Sequence, residues 1–270
     1  MSRTRATNAY VERLAAELPE RDLDLVETLD RFRVATPSQL RRLHFTEGTE
    51  AAKARQAWRR LRALRDLRVV TVLERRVGGG RGGSSQAIFA LDTAGQKLAS
   101  ACGPAGGNRP RRPWTPGNQF LAHAVQVTEL YVLTCERARA GDGEVLAFDA
   151  EPQCWRRFVG IGGATAWLKP DAFVRFGAGK YEHLSFVEVD RATASAPTIT
   201  RKLDVYRRYW QTGRDQERFG AFGRVLLLAP HETRRKVLAD AVKRQPTEAQ
   251  PLFRAALYED AADLLTGEAS

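Results

Sequence analysis

Apolar residues recur at near-helical spacing over residues 21–32, where Leu23, Leu25, Val26, Leu29 and Phe32 fall towards one side. Thr36-Pro37 then opens a second, short helix: Thr36 stands at the N-cap, Pro37 at N1 and Gln39 at N3, completing a capping box ahead of Leu40, Leu43 and Phe45. Thr49 caps a third helix running to about Leu67, with Ala54, Ala57, Trp58, Leu61 and Leu64 as its expected apolar stripe. The period then changes. Val69-Val-Thr-Val-Leu73 and Ala87-Ile-Phe-Ala-Leu91 are β-rich runs joined by the glycines of 78–83, the pattern of a hairpin. Asp92-Thr-Ala-Gly95 starts a short closing helix that includes Leu98.

A Gly- and Pro-rich stretch, 101–117, follows and predicts an exposed linker. Beyond it, residues 118–139 predict one long helix carrying Leu121, Val125, Leu130, Val132 and Leu133. Strands are expected at 145–148, 166–176 and 183–190, a helix at about 198–210, a buried-type strand at 224–229 and a helix near 232–244. Leu252–Leu257 reads as a last strand or a short helix. The order αβββαβ is that of an α/β sandwich. The expected fold class is therefore α+β with two domains: 20–100, three helices and a hairpin in the order of a winged helix-turn-helix, and 118–265, the sandwich.

Charge sharpens the first half of this picture. The chain of 270 residues carries a net charge of +11. Over 1–114, 22 Lys and Arg stand against 12 Asp and Glu, while over 115–270 the numbers are 21 and 20. A phosphate polymer is the natural partner for such a basic segment, although an Arg-rich helix is also compatible with an ordinary solvated face. The third helix carries Lys53, Arg55, Arg59, Arg60, Arg62 and Arg65, and the hairpin carries Arg75, Arg76 and Arg81. In a winged helix the third helix enters the major groove of double-stranded DNA and the hairpin lies along the backbone or the minor groove. Gln56 and Arg59 are the candidates for reading base edges. The glycines of 78–83 include neither a Walker-type Gly-Lys-Ser/Thr nor a following long helix, which excludes a nucleotide loop. The hairpin also lacks the aromatics expected of a single-stranded RNA platform.

Cys102, Cys135 and Cys154 are isolated, so neither a zinc site nor a disulfide framework is expected. No apolar leader and no run of ~20 apolar residues occurs, which excludes membrane partners and implies a cytoplasmic protein. No Ser-His-Asp spacing and no HExxH is present, and His123 and His183 read as packed or surface residues.

The second half holds the candidate chemistry. Pro170-Asp171 is followed by Glu188-Val-Asp190, and Asp171 and Glu188 are expected on neighbouring strands. Glu188 and Asp190 share a strand face by the period of two. Three carboxylates, Asp171, Glu188 and Asp190, turned into one cleft would repel unless a cation such as Mg²⁺ relieved them. The alternative is structural: Asp171 and Asp190 would cap turns or pair with Arg175 and Arg191.

This order and these residues resemble the PD-(D/E)xK nuclease-like superfamily. The resemblance implies that Asp171 and Glu188 hold the metal and that a lysine helps to activate water. Asp190 stands where that lysine is expected, so Lys202 on the next helix becomes its candidate replacement, and Glu129 on the long helix a further carboxylate. Over about residues 20–245 the chain also resembles the replication-relaxation family of bacterial plasmids and mobile elements. That likeness rests on Ala35-Thr-Pro-Ser-Gln-Leu40, the Arg-rich helix and glycine hairpin, the helix with His123, Leu168-Lys-Pro-Asp-Ala172, Phe186-Val-Glu-Val-Asp-Arg-Ala-Thr193 and Lys202-Leu-Asp-Val-Tyr206. It implies a part in plasmid replication or DNA relaxation and transfer. Two readings stay open for the second domain. It is a Mg²⁺-dependent nickase with Asp171, Glu188 and Lys202 as its catalytic residues. Or it is a degenerate scaffold of a regulator or relaxosome accessory protein, used for homodimerisation or for binding other replication or transfer proteins.

Overall fold

The computed structural model describes residues 6–77, 86–102, 117–141 and 143–267. It is mixed α and β, and divides into two compact units, Met1–Val132 and Leu133–Ser270.

The first unit opens with a helix that the periodicity left unassigned, α1 (Asn8–Glu17), which buries Val11 and Leu14. Then come α2 (Glu20–Phe32), α3 (Pro37–His44) and α4 (Glu50–Asp66). The capping box forms as the sequence predicts: the Gln39 N–H donates to Thr36 Oγ1 at 3.2 Å and the Thr36 N–H donates to Gln39 Oε1 at 2.9 Å. Thr49 caps α4, accepting from the Ala52 N–H. Strands β1 (Val70–Val77) and β2 (Gln86–Leu91) pair antiparallel, and α5 (Thr93–Cys102) follows. Gly95 is required there, because a Cβ on it would lie 2.1 Å from the Val69 carbonyl oxygen. One apolar core joins these pieces, with Leu25, Leu29, Leu40, Leu61, Leu64 and Leu98 at its centre. The glycine turn, with Arg81, and nearly all of the expected linker lie outside the described residues.

The long helix α6 (Asn118–Ala140) forms, and the division between the units falls inside it rather than ahead of it. The reason is visible in its first half. Thr128 Oγ1 donates to the Val34 carbonyl at 3.0 Å, and Gln39 Nε2 donates to that of Val125 at 2.9 Å. Leu121 and Ala124 pack with Val34 and Ile88.

The second unit is built on a five-stranded mixed sheet. Its strands are β3 (Gly143–Ala150), β6 (Ala172–Ala178), β7 (Tyr181–Val189), β8 (Arg224–Ala229) and β9 (Phe253–Leu257), adjacent in that order. The first three pair antiparallel, and β8 and β9 add in parallel. Phe253–Leu257 thus resolves as a strand. Helix α7 (Ala196–Trp210) and the short α8 (Arg214–Phe219) connect β7 to β8, α9 (Glu232–Lys243) connects β8 to β9, and α10 (Ala261–Thr266) closes the unit.

One expectation fails here. Residues 166–176 are not one strand. Pro170 cannot donate to a ladder, and the chain breaks at Lys169-Pro-Asp171. Residues upstream of the break form β5 (Thr165–Leu168), which pairs with β4 (Arg156–Val159) in a separate hairpin. Residues downstream enter the main sheet as β6.

Candidate functional site

Helix α4 has two opposed faces. Ala57, Leu61 and Leu64 are buried at i, i+4 and i+7. At ~100° per residue, Arg55, Arg59 and Arg62 fall on the opposite side, and all three are exposed, as is Arg65. These four form no ion pair with any described residue. Gln56 is exposed as well. The expected stripe needs correction at two positions: Ala54 is exposed and Trp58 is 60% exposed. Trp58 lies roughly 100° round from Ala57, outside the buried arc and among the arginines.

Two further residues of the expected basic set are engaged within the fold. Arg60 makes a bidentate contact with Asp22, a carboxylate only 1% exposed. Hydrogen bonding to Asp22 raises the pKa of the guanidinium, so it stays charged. Lys53 pairs with Glu50 one turn earlier, at 3.0 Å. Arg75 and Arg76 lie on β1.

In the second unit the strand register sets Ala172 of β6 opposite Val187 of β7, which brings Asp171 beside the Glu188-Val189 segment. Asp171 Oδ2 accepts the Val189 N–H at 2.7 Å. Glu188 is 4% exposed, although its residue type avoids the interior. It shares its strand face with Phe186, whose ring meets that of Tyr206 on α7 at 5.7 Å. Lys202 and Tyr206 stand four apart, hence on one face of α7, and both reach Glu188. Lys202 Nζ is ion-paired to Oε2, and the Tyr206 hydroxyl donates to Oε1 at 2.7 Å. The structure therefore gathers Asp171, Glu188 and Lys202, and adds Tyr206, to which the sequence assigns no part in the site.

Asp190 does not join this group. It lies just past the end of β7, where Arg234 of α9 grips both its oxygens at 2.7 and 2.8 Å and the Ala192 N–H donates to it. Its ion-pair partner is Arg234 rather than Arg175 or Arg191, and Arg175 pairs instead with Glu182. Glu129 belongs to the first unit, where it receives Arg42 and Gln39. Among the described residues no group of three or more His, Cys, Asp or Glu side chains is gathered so as to hold a metal ion. Cys154 is buried near the centre, with its thiol donating to the Pro170 carbonyl at 3.0 Å and its pKa pushed up by burial.

Burial pushes the Glu188 carboxyl up from 4.5 to about 7; the charge of Asp171 adds to this rise and that of Lys202 opposes it. Loss of solvent works against the Lys202 charge, but Glu188 and Asp171 outweigh it and the pKa of the ammonium ends above its ordinary value. Because the folded Glu188 binds its proton more tightly than the unfolded one, it stabilises the fold fully below about pH 4.5. That contribution is lost as pH rises to about 7. At 1.36 kcal/mol per pKa unit the loss is roughly 3 kcal/mol. Glu188→Gln, which keeps an acceptor for Tyr206, should gain on the wild type by about that amount across this window in denaturant titrations. Parallel pH curves for the two proteins would contradict it.

No described helix is long and apolar enough to cross a membrane. No curated protein and no solved structure matches the chain. A protein-family model described as Replication-relaxation matches residues 26–225, a span that holds both the arginine face of α4 and the Asp171–Glu188–Lys202 group. The chain belongs to the replication-relaxation family.

Proposed function

We propose that the protein binds double-stranded DNA in the replication of a plasmid or other mobile element, with α2–α4 and the β1–β2 hairpin acting as a winged helix-turn-helix. The observation that carries this reading is the exposed guanidinium face of α4, opposite its buried face and without an ion pair among the described residues. Four arginines on one rod, Arg55, Arg59, Arg62 and Arg65, without an ion pair to any described residue, suit phosphates flanking a major groove, where Gln56 and Arg59 would reach base edges. Neutralising phosphates releases counterions, so log affinity should fall linearly with log salt, by roughly 0.9 per phosphate contacted. A mobility-shift or anisotropy titration across salt concentrations checks this, and a flat salt response refutes it.

The second unit is read as a nuclease-like centre that nicks DNA. Asp171 and Glu188 fit Mg²⁺, a hard cation that takes one or two carboxylates and retains several waters. The mutual repulsion that helps lift the Glu188 carboxyl is what such a cation would relieve. Lys202 competes for Glu188, so metal binding requires exchange at that carboxylate. Bound Mg²⁺ would polarise the scissile phosphate and acidify a water. Asp171 and Glu188 would hold it, and Lys202, once released, would stabilise charge developing on the phosphate. Incubating supercoiled plasmid with and without Mg²⁺, read for both mobility and nicking, tests the reading.

One observation favours the second reading, a regulator or accessory protein whose C-terminal unit binds a partner or dimerises. Both Glu188 oxygens and both Asp190 oxygens already have protein partners. Calorimetry with Mg²⁺ or Mn²⁺ separates the two: heat of binding supports the nickase, and its absence the regulator.

A further inference from the structure

The β4–β5 hairpin has one committed face and one open face. Phe158 and Leu168 point inward and are buried, with Phe158 edge-on to Tyr209 of α7 at 5.4 Å. By the strand period and the observed pairing of Arg157 with Trp167 and Val159 with Thr165, the opposite face carries Arg157, Val159, Thr165 and Trp167; Trp155, half-buried against the core, and Lys169 flank the two strands. Val159 is 61% and Trp167 47% exposed, and Arg157, Thr165 and Lys169 are exposed too. No acidic residue stands on this face. Arg157 and Lys169 form no ion pair with any described residue. Lys169 Nζ lies 4.4 Å from the centre of the Trp155 ring, and Trp155 meets Trp167 edge-on at 6.5 Å.

We propose that this open hairpin face binds single-stranded DNA, with an unpaired base stacked on Trp167 and the flanking phosphates held by Arg157 and Lys169. Three features select this ligand. An exposed indole offers a flat π-face that any base can cover, and stacking of this kind tolerates sequence. Of the cations beside it, Arg157 donates only to Thr165 Oγ1 at 3.4 Å and Lys169 rests on the Trp155 ring, so among the described residues an anionic polymer meets no competing carboxylate at either. A partner helix would want a continuous apolar stripe, whereas here Arg157 stands beside Trp167 and between Val159 and Trp155, the residue before β4. Only two residues separate the end of β5 at Leu168 from Asp171, so the hairpin adjoins the Asp171–Glu188 group along the chain. The proposal does not rest on cleavage there, nor on duplex binding by α4.

The test is binding of the full-length protein to fluorescent oligo(dT), oligo(U) and a blunt duplex of equal length. Trp167→Ala should weaken oligo(dT) binding by about 5- to 150-fold, the range of one stacked base, while Trp167→Phe stays within a few-fold of wild type. Duplex affinity should not change in either. Arg59→Ala should give the opposite pattern, weakening duplex binding several-fold and leaving oligo(dT) binding unchanged. Three outcomes overturn the proposal: oligo(dT) affinity unaffected by Trp167→Ala, tighter binding of oligo(U) than of oligo(dT), or a wild-type dimer that Trp167→Ala converts to monomer, which would mean that a second copy covers the face. Loss of duplex binding by wild type would sink the α4 reading and leave this one standing.

Discussion

Asp171→Asn should reduce Mg²⁺-dependent nicking of supercoiled plasmid by about 1000-fold or more, equivalent to ~4 kcal/mol of transition-state stabilisation, while duplex affinity stays within about twofold. Asparagine is the informative substitution because Asp171 also serves the backbone. Its Oδ2 accepts the Val189 N–H, and an alanine would strand that donor at a cost of about 1–3 kcal/mol. The amide keeps the acceptor and removes the charge that a hard cation needs. Loss of cleavage with an unchanged melting temperature therefore speaks to chemistry rather than to folding. Nicking that survives in Asp171→Asn removes this centre from the reaction, and a wild type that never nicks returns the unit to the regulatory reading.

Replacing Arg55, Arg59 and Arg62 together by alanine should weaken duplex binding by about 100-fold near 0.1 M salt. It should also flatten the salt dependence by about 2.7 in slope, at 0.9 per lost phosphate contact. Alanine is the best helix former, and the three side chains are exposed and make no ion pair with a described residue, so α4 should persist. Arg60 serves as the internal control. It is part of the same basic run, yet it neutralises the buried Asp22. Arg60→Ala should lower stability, with DNA affinity little changed once the protein is folded. An unchanged salt slope in the triple variant would move the DNA surface away from α4.

The contrast between Arg59 and Arg60 shows where sequence reading reaches its end. Both are arginines in one helical run, and helical period alone separates their directions by only one residue step. What distinguishes them is a carboxylate on another helix, 38 positions away in the chain. Lys53 is similar, its ammonium taken by Glu50. Trp58 misleads for a related reason. Its hydrophobicity places it in a stripe, but the arc that the core covers is narrow and ends short of it.

The carboxylates repeat the lesson. Asp171 and Glu188 are legible because a Pro-Asp step ahead of a Glu-containing strand is a local pattern. Lys202 is legible only through resemblance, and Tyr206 reads as packing although its hydroxyl holds the other oxygen of Glu188. Asp190 shares the strand period of Glu188 but lies beyond the strand end, where Arg234 claims it.

The sequence by itself determined most of the elements: the capping box at Thr36, the Arg-rich helix after Thr49, the hairpin flanking the glycines, and the main strands and helices of the second unit, though not β4, α8 or α10. These depend on side-chain period, caps and turn residues, all local along the chain. Only the tertiary structure decided which charged groups are free and which are consumed inside the fold, that Pro170 splits one expected strand between two sheets, and that α6 shares its first half with the N-terminal core. Those outcomes depend on contacts between residues tens of positions apart, where burial and ion pairing are settled by what another element brings alongside.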